Sequence, residues 1–189
     1  MELSDAEKLI LTMLCEVHQH LDIAGEVDPK FVQSALHSGN TWGLRWKYGA
    51  LYDGNARSDP PIVKEVVRIL DMWSAIEDGY DALRSLDQDR VAASISPRQC
   101  EVKFLGFDSD TEFEHANIAS FLIKDMQRFP KFAGRDIHSH LPSISIYRRM
   151  VRAFEPLQKL IGKGRLNADQ LIALLNENTG PRSNFLKLV

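Results

Sequence analysis

The sequence's nearest approach to a catalytic or metal-binding group is a pair of histidines, His138 and His140, with Asp136 beside them. Two imidazoles and a carboxylate could bind zinc or relay a proton. Histidines at i and i+2 in a loop are common, however, and no HExxH or paired-cysteine motif accompanies them, so a third ligand such as His115 would have to come from the fold. We interpret the segment as a loop that hydrogen-bonds or caps the following helix, and keep a metal- or His-dependent enzyme as a second alternative.

Two further patterns could indicate an ion-binding or phosphate-binding site, but each has a simpler structural explanation. The acidic group Asp108, Asp110, Glu112 and Glu114 lacks the glycine and terminal glutamate of a calcium loop, and acids are favourable at a helix start. The segment 162–164 lacks the full phosphate-loop pattern, and no serine or cysteine stands in a recognised nucleophile motif. We therefore predict no catalytic residue, no metal and no cofactor.

The basic residues Arg148, Arg149 and Arg152 are the remaining candidates for a binding surface. Residues 1–127 hold 12 basic and 22 acidic residues, whereas residues 128–165 hold 9 basic and 2 acidic ones. The basic segment could dock on the acidic one, within a chain or between chains, or it could bind an anion. Arg148 and Arg152 lie one helical turn apart and could meet phosphates, although the sequence pI of about 6.1 is low for a nucleic-acid-binding domain.

The chain is organised around the stretch from Phe104 to Glu112 and the helix that follows it. Apolar residues flank a glycine, and Ser109 as N-cap with Glu112 at the third helical position would form a capping box. Helical spacing then continues until Pro130, which predicts a helix ending near Phe129. The expected buried anchors beside this helix are Phe104, Leu105 and Phe107.

Further capping signals and apolar periodicity predict helices over about 5–21, 29–38, 62–83 and 167–177. Apolar residues from Ile146 to Phe154 predict another long helix, which is bent or broken at Pro156 and closed by Gly162 and Gly164. The aromatic segment 41–52 is helical or irregular, and 85–99 is a polar connector. Alternation in the sequence permits one short strand near residues 100–105. The prediction is an all-α bundle of about five to six helices with orthogonal pieces, a single domain over residues 1–178, and a C-terminal tail at 179–189.

Two apolar stripes mark the surfaces on which these helices pack. The first helix carries Leu9, Ile10, Met13, Leu14, Val17 and Leu21 on one stripe. In the long helix, residues from Ile62 to Leu83 alternate spacings of four and three, which indicates one continuous seam. That seam could face the protein's own core, the more common role, or a second copy of the chain.

Composition places the chain among cytoplasmic globular proteins. Its 189 residues are 44% hydrophobic and 26% charged, enough to bury a substantial core. No run approaches the roughly 20 apolar residues that cross a bilayer, and the N-terminus lacks a signal-peptide pattern. Two cysteines, Cys15 and Cys100, are too few for a disulfide framework, so we expect both to be reduced.

Several segments together resemble the YfbU family of bacterial proteins. They are the N-terminal LSDAEKLIL, the ILDMW of the long helix, FLGFD followed by Thr111-Glu112, YRRM at 147–150, and LNADQLI. The resemblance covers residues 3 to about 177, and FLGFD with its Thr-Glu is its most specific part. It implies a cytosolic, mostly helical protein, and it supplies no activity or catalytic residues.

These observations favour a non-enzymatic helical interaction or regulatory module, expected to form a homo-oligomer and to have no membrane role. The first alternative is a nucleic-acid-associated regulator that uses the basic segment 128–165.

Overall fold

The computed structural model describes residues 3–49, 58–95, 101–162 and 164–177, and it confirms the all-α prediction. None of the described helices is both long and apolar enough to cross a membrane. A π-helical turn spans Phe121–Asp125, directly after a helix that ends at Ser120, and a 3-10 turn spans Pro130–Phe132. Within the described ranges the α-helices are α1 (Asp5–His20), α2 (Pro29–His37), α3 (Trp42–Lys47), α4 (Pro61–Asp81), α5 (Ser85–Ser94), α6 (Phe113–Ser120), α7 (Ile144–Ile161) and α8 (Ala168–Asn176).

Helices α1, α2 and α8 begin where their capping residues predict. Ser4 forms a reciprocal capping box with Glu7, and Asn167 caps α8 with the help of Gln170 in the same way. The Asp28 side chain accepts hydrogen bonds from the first amides of α2, whose first residue is a proline. Each cap satisfies amides that the helix itself cannot pair, an effect of about 1 kcal/mol.

Helix α4 lies at the centre of the packing, against α6, α7 and α8. The middle of its predicted seam is almost fully buried, with Val66, Ile69, Trp73 and Ile76 at most 2% exposed. Tyr147 and Phe104 contact the Trp73 ring. The middle of the seam therefore packs inside the chain.

The short strand lies just beyond the predicted position. Phe107–Asp108 forms β1 and pairs in parallel with β2, His138–Ser139. The Phe104 amide donates to the buried Glu77 carboxylate at 2.8 Å and not to a strand. Gly106, with φ of +90°, permits the close approach, because a Cβ there would lie 1.6 Å from the Ile137 carbonyl oxygen.

The prediction that 85–99 is a connector is wrong for its first ten residues, which form α5; residues 96–99 lie outside the described residues. Val91 is the buried residue of this helix, and the helix packs against α8. A helix held by a single buried apolar side chain has no visible periodicity in its sequence. The described structure thus has more helices than the five or six predicted.

The helix predicted to run from Ser109 to Phe129 is shorter at both ends. Glu112 is its N-cap residue, and the π-helical turn ends at Asp125. Gln127 and Phe129 have positive φ values, so the chain leaves the helix before Pro130. The predicted tail, 179–189, and residues 50–52 of the aromatic segment lie outside the described residues.

Candidate interaction surface and basic cleft

Helix α1 presents an apolar face that the rest of the described chain does not cover. At about 100° per residue, the stripe occupies one continuous arc of the helix, together with Ala6 and His20. We call this set the α1 arc. Its large members are each 51–63% exposed: Leu9, Ile10, Met13, Leu14, Val17 and Leu21.

The opposite side of α1 attaches the helix to the protein. Cys15 is buried there, Leu11 packs partly against the core, and Gln19 bonds Gln33 of α2 at 2.8 Å. Burial raises the pKa of the Cys15 thiol. In the loop after α1, Ile23 and Val27 are 48% and 39% exposed. Helix α1 is therefore apolar on two sides, and only the narrower side is used within the chain.

The residues 108–112, predicted to form a capping box at the start of α6, make different hydrogen bonds in the structure. Ser109 does not cap α6; its hydroxyl lies 2.6 Å from His138 Nδ1. The buried Glu112 carboxylate accepts hydrogen bonds from the amides of Asp108, Ser143 and Ile144. It thereby caps the start of α7, which favours negative charge.

The residues Asp136, His138 and His140 do not converge on a site. The His138 amide donates to the Asp136 carboxylate at 3.0 Å, its ring meets Ser109, and both histidines are exposed. His115 lies elsewhere, with its Nε2 3.0 Å from Glu65 Oε2. In the described ranges, no three His, Cys, Asp or Glu side chains are placed to hold a metal ion.

Arg148 is held by a two-pronged ion pair with Glu65 of α4. Its Nε lies 2.5 Å and its Nη2 3.0 Å from the two carboxylate oxygens. The hydrogen bond from Arg148 lowers the pKa of Glu65 to about 2, against partial desolvation, and His115 adds to the lowering. The same contact raises the pKa of Arg148. This pair fixes the α7 guanidinium against α4.

A cleft of about 460 Å³ opens between α4 and α7 beside that pair. Lys64 and Arg68 of α4 line it together with Arg148 and Arg152 of α7. Arg149 lies elsewhere, because its Nε donates to the Glu177 carbonyl and its Nη1 to the Ser145 carbonyl. The predicted arginine triad is thus divided between two places. Lys64 and Arg68 complete the basic cleft, and no pattern in the sequence of α4 pointed to them.

The acidic and basic parts of the sequence meet within the chain. Lys131 contacts the carboxylates of Asp78 and Asp81, and Arg135 contacts the buried Glu77. Together with the Arg148–Glu65 pair, these ion pairs join the basic segment 128–165 to the acidic part of the same chain. The structure therefore gives the charge separation an intramolecular role.

The helical fold, the largely buried FLGFD segment and the α1 capping box can now be compared with known proteins. The YfbU domain family model matches residues 1–172, so the chain belongs to the YfbU family. One similar protein is the UPF0304 protein MJECS11 of Methanocaldococcus jannaschii. The two are 25% identical over 179 residues, which cover 92% of this chain and 99% of the archaeal protein.

Proposed function

We propose that this protein is a helical interaction module that self-associates, with the α1 arc of one copy packed against the α1 arc of a second. The exposure of the α1 arc carries the proposal. Six large apolar side chains at 51–63% exposure on one helix face form a contiguous patch of the kind that marks a protein interface. Scattered apolar surface residues would need no such explanation.

The free energy available on this face is of the size that a dimer needs. Fully burying a Leu, Ile or Met side chain contributes about 1.5–3 kcal/mol. Covering the exposed half of six such residues therefore contributes roughly 5–9 kcal/mol per copy. Two copies together contribute roughly 10–18 kcal/mol, a range that overlaps the estimated cost of association, about 4–15 kcal/mol.

The polar edge of the α1 arc favours a second copy as the occupant. Glu7 and His18 are eleven residues apart, close to three helical turns, so they border the same edge of the arc. If a two-fold axis pairs the α1 helices of two copies antiparallel, this edge of one helix lies along the same edge of the other, running in the opposite direction. Glu7 of one copy then lies opposite His18 of the other. The antiparallel arrangement also opposes the two helix dipoles favourably.

We place this module in the cytoplasm. Cys15 is a free buried thiol in a hydrophobic environment, a common state for cytoplasmic cysteines. A fusion to a fluorescent reporter should give diffuse cytoplasmic signal.

Sedimentation equilibrium over a wide concentration range tests the self-association. The wild type should fit a monomer–dimer equilibrium, and a variant with Ile10→Glu and Val17→Glu should remain monomeric with unchanged helicity by circular dichroism. The matched control carries Lys8→Gln and Thr12→Glu, which make the same change in net charge outside the α1 arc, and it should dimerise like the wild type. A monomeric wild type, or a dimer that survives the arc variant, would contradict the proposal.

A further inference from the structure

We infer that the basic cleft between α4 and α7 binds a small phosphate ester, with the phosphate on Lys64, Arg68 and Arg152 and an apolar group against Val151. This site is separate from the α1 arc and does not depend on self-association.

The charge in the cleft is the first support. Glu65 is already neutralised by its two-pronged pair with Arg148. The lining that remains is Lys64, Arg68 and Arg152 against the single carboxylate of Glu155. Arg68 meets Glu155 at 3.6 Å with both side chains half exposed or more, a weak pair. The lining therefore keeps an excess of about two positive charges.

The unpartnered cations are the second support. In the part of the chain that the structure describes, the Lys64 and Arg152 side chains make no hydrogen bond or ion pair. Lysine and arginine side chains that line one cleft from two helices leave several N–H donors for the oxygens of one phosphate. The Arg148–Glu65 pair joins the same two helices within the lining of the cleft.

The shape and the apolar lining decide the class of anion. A volume of about 460 Å³ falls within the usual range for small-molecule sites. Val151 and Pro61 line the same cleft with exposed apolar surface, so a ligand that joins a phosphate to an apolar group fits it better than a bare ion. A nucleic-acid strand needs a basic stripe that tracks many phosphates, and acidic residues flank these few cations.

Titration of the full-length protein with phenyl phosphate, followed by calorimetry and by amide chemical shifts, tests the site. We expect saturable one-to-one binding, with shifts concentrated at α4 and α7, and weaker binding of inorganic phosphate. Lys64→Gln with Arg152→Gln should weaken phenyl phosphate binding about tenfold, because two charge-assisted contacts are lost at a solvent-exposed site. Glu155→Gln should strengthen it a few-fold, because the competing carboxylate is removed.

The matched control is Lys30→Gln with Lys124→Gln, which removes the same charge from exposed positions outside the cleft and should leave the affinity unchanged. The proposal fails if phenyl phosphate does not saturate by about 10 mM, well past the millimolar range of weak sites. It fails equally if the cleft and control variants lose affinity alike. Tighter, strongly salt-dependent binding of a twelve-residue oligothymidylate, lost in the cleft variant, would overturn it in favour of nucleic acid.

Discussion

The carboxylate of Glu112 accepts hydrogen bonds from both the amide and the hydroxyl of Ser143, at 2.7 and 2.8 Å, across 31 residues of sequence. The same carboxylate receives the Ile144 amide at 2.8 Å. The FLGFD segment and the start of α7 are therefore joined through one buried anion. The Tyr147 hydroxyl donates to the Gly106 carbonyl at 3.1 Å, and the Ser143 hydroxyl lies at the same distance from that carbonyl.

Replacing Glu112 with Ala should destabilise the protein by about 3–5 kcal/mol, because amides at the start of α7 lose a charged acceptor in a buried site. For a chain of this length the melting temperature should fall by roughly 10 °C. Glu114→Ala, an exposed acid two residues further on, is the control and should change it little. Equal melting temperatures in the two variants would show that the junction does not matter.

Phe107→Ala and Leu105→Ala separate the buried from the exposed part of FLGFD. Phe107 is 0% exposed, so its truncation should cost about 3–5 kcal/mol of unfolding free energy. Leu105 is 46% exposed, which contradicts its predicted role as an anchor, and its truncation should cost less than about 1.5 kcal/mol. Urea unfolding of both variants decides the order, and a Leu105 variant as unstable as the Phe107 variant would refute the assignment.

Gly106→Ala should prevent the β1–β2 pairing, because the new Cβ would collide with the Ile137 carbonyl. Gly134 also has positive φ, but open space surrounds its Cβ position. Gly134→Ala should thus cost only the backbone strain of about 1–2 kcal/mol. Thermal unfolding should show a much larger loss for Gly106→Ala; equal losses would mean that strain alone explains both.

The Glu65–Arg148 pair predicts a specific acid sensitivity. The folded pKa of Glu65, about 2, lies below its ordinary value of 4.5, so the stabilisation is fully present above pH 4.5 and disappears as pH falls toward 2. Because Arg148 is half exposed, we expect a contribution of about 1–2 kcal/mol. Glu65→Gln should reduce the unfolding free energy at pH 6 and flatten its decline between pH 4.5 and 2. An unchanged pH profile in this variant would contradict the pair's role.

Local signals predicted the elements that depend on local interactions. Ser4 with Glu7 and Asn167 with Gln170 are capping boxes whose partners lie three residues apart, so the sequence shows them directly. Glu112 also stands three residues after a serine, as in a capping box, but its carboxylate accepts hydrogen bonds from Ser143 and Ile144 at the start of α7. No pattern within the segment reveals such a distant partner.

The candidate surfaces were less predictable, because they depend on which face of a helix the fold covers. The apolar stripe of α1 was evident from the sequence. The face of α1 that packs inside the protein, however, is the opposite one, which carries Cys15 and Leu11. Likewise, Arg148 and Arg152 were visible as a basic pair, whereas Lys64 and Arg68 join them only through the packing of α4 on α7.

The most direct test of self-association through the α1 arc is the rate of thiol labelling at Met13→Cys, measured as a function of protein concentration. Cys100 is replaced by serine, and the buried Cys15 should react slowly. Asp5→Cys, exposed on the polar side of the same helix, serves as the control. We predict that labelling at position 13 slows as the protein passes from monomer to dimer, while labelling at position 5 stays constant. A rate at position 13 that does not change with concentration would contradict the central proposal.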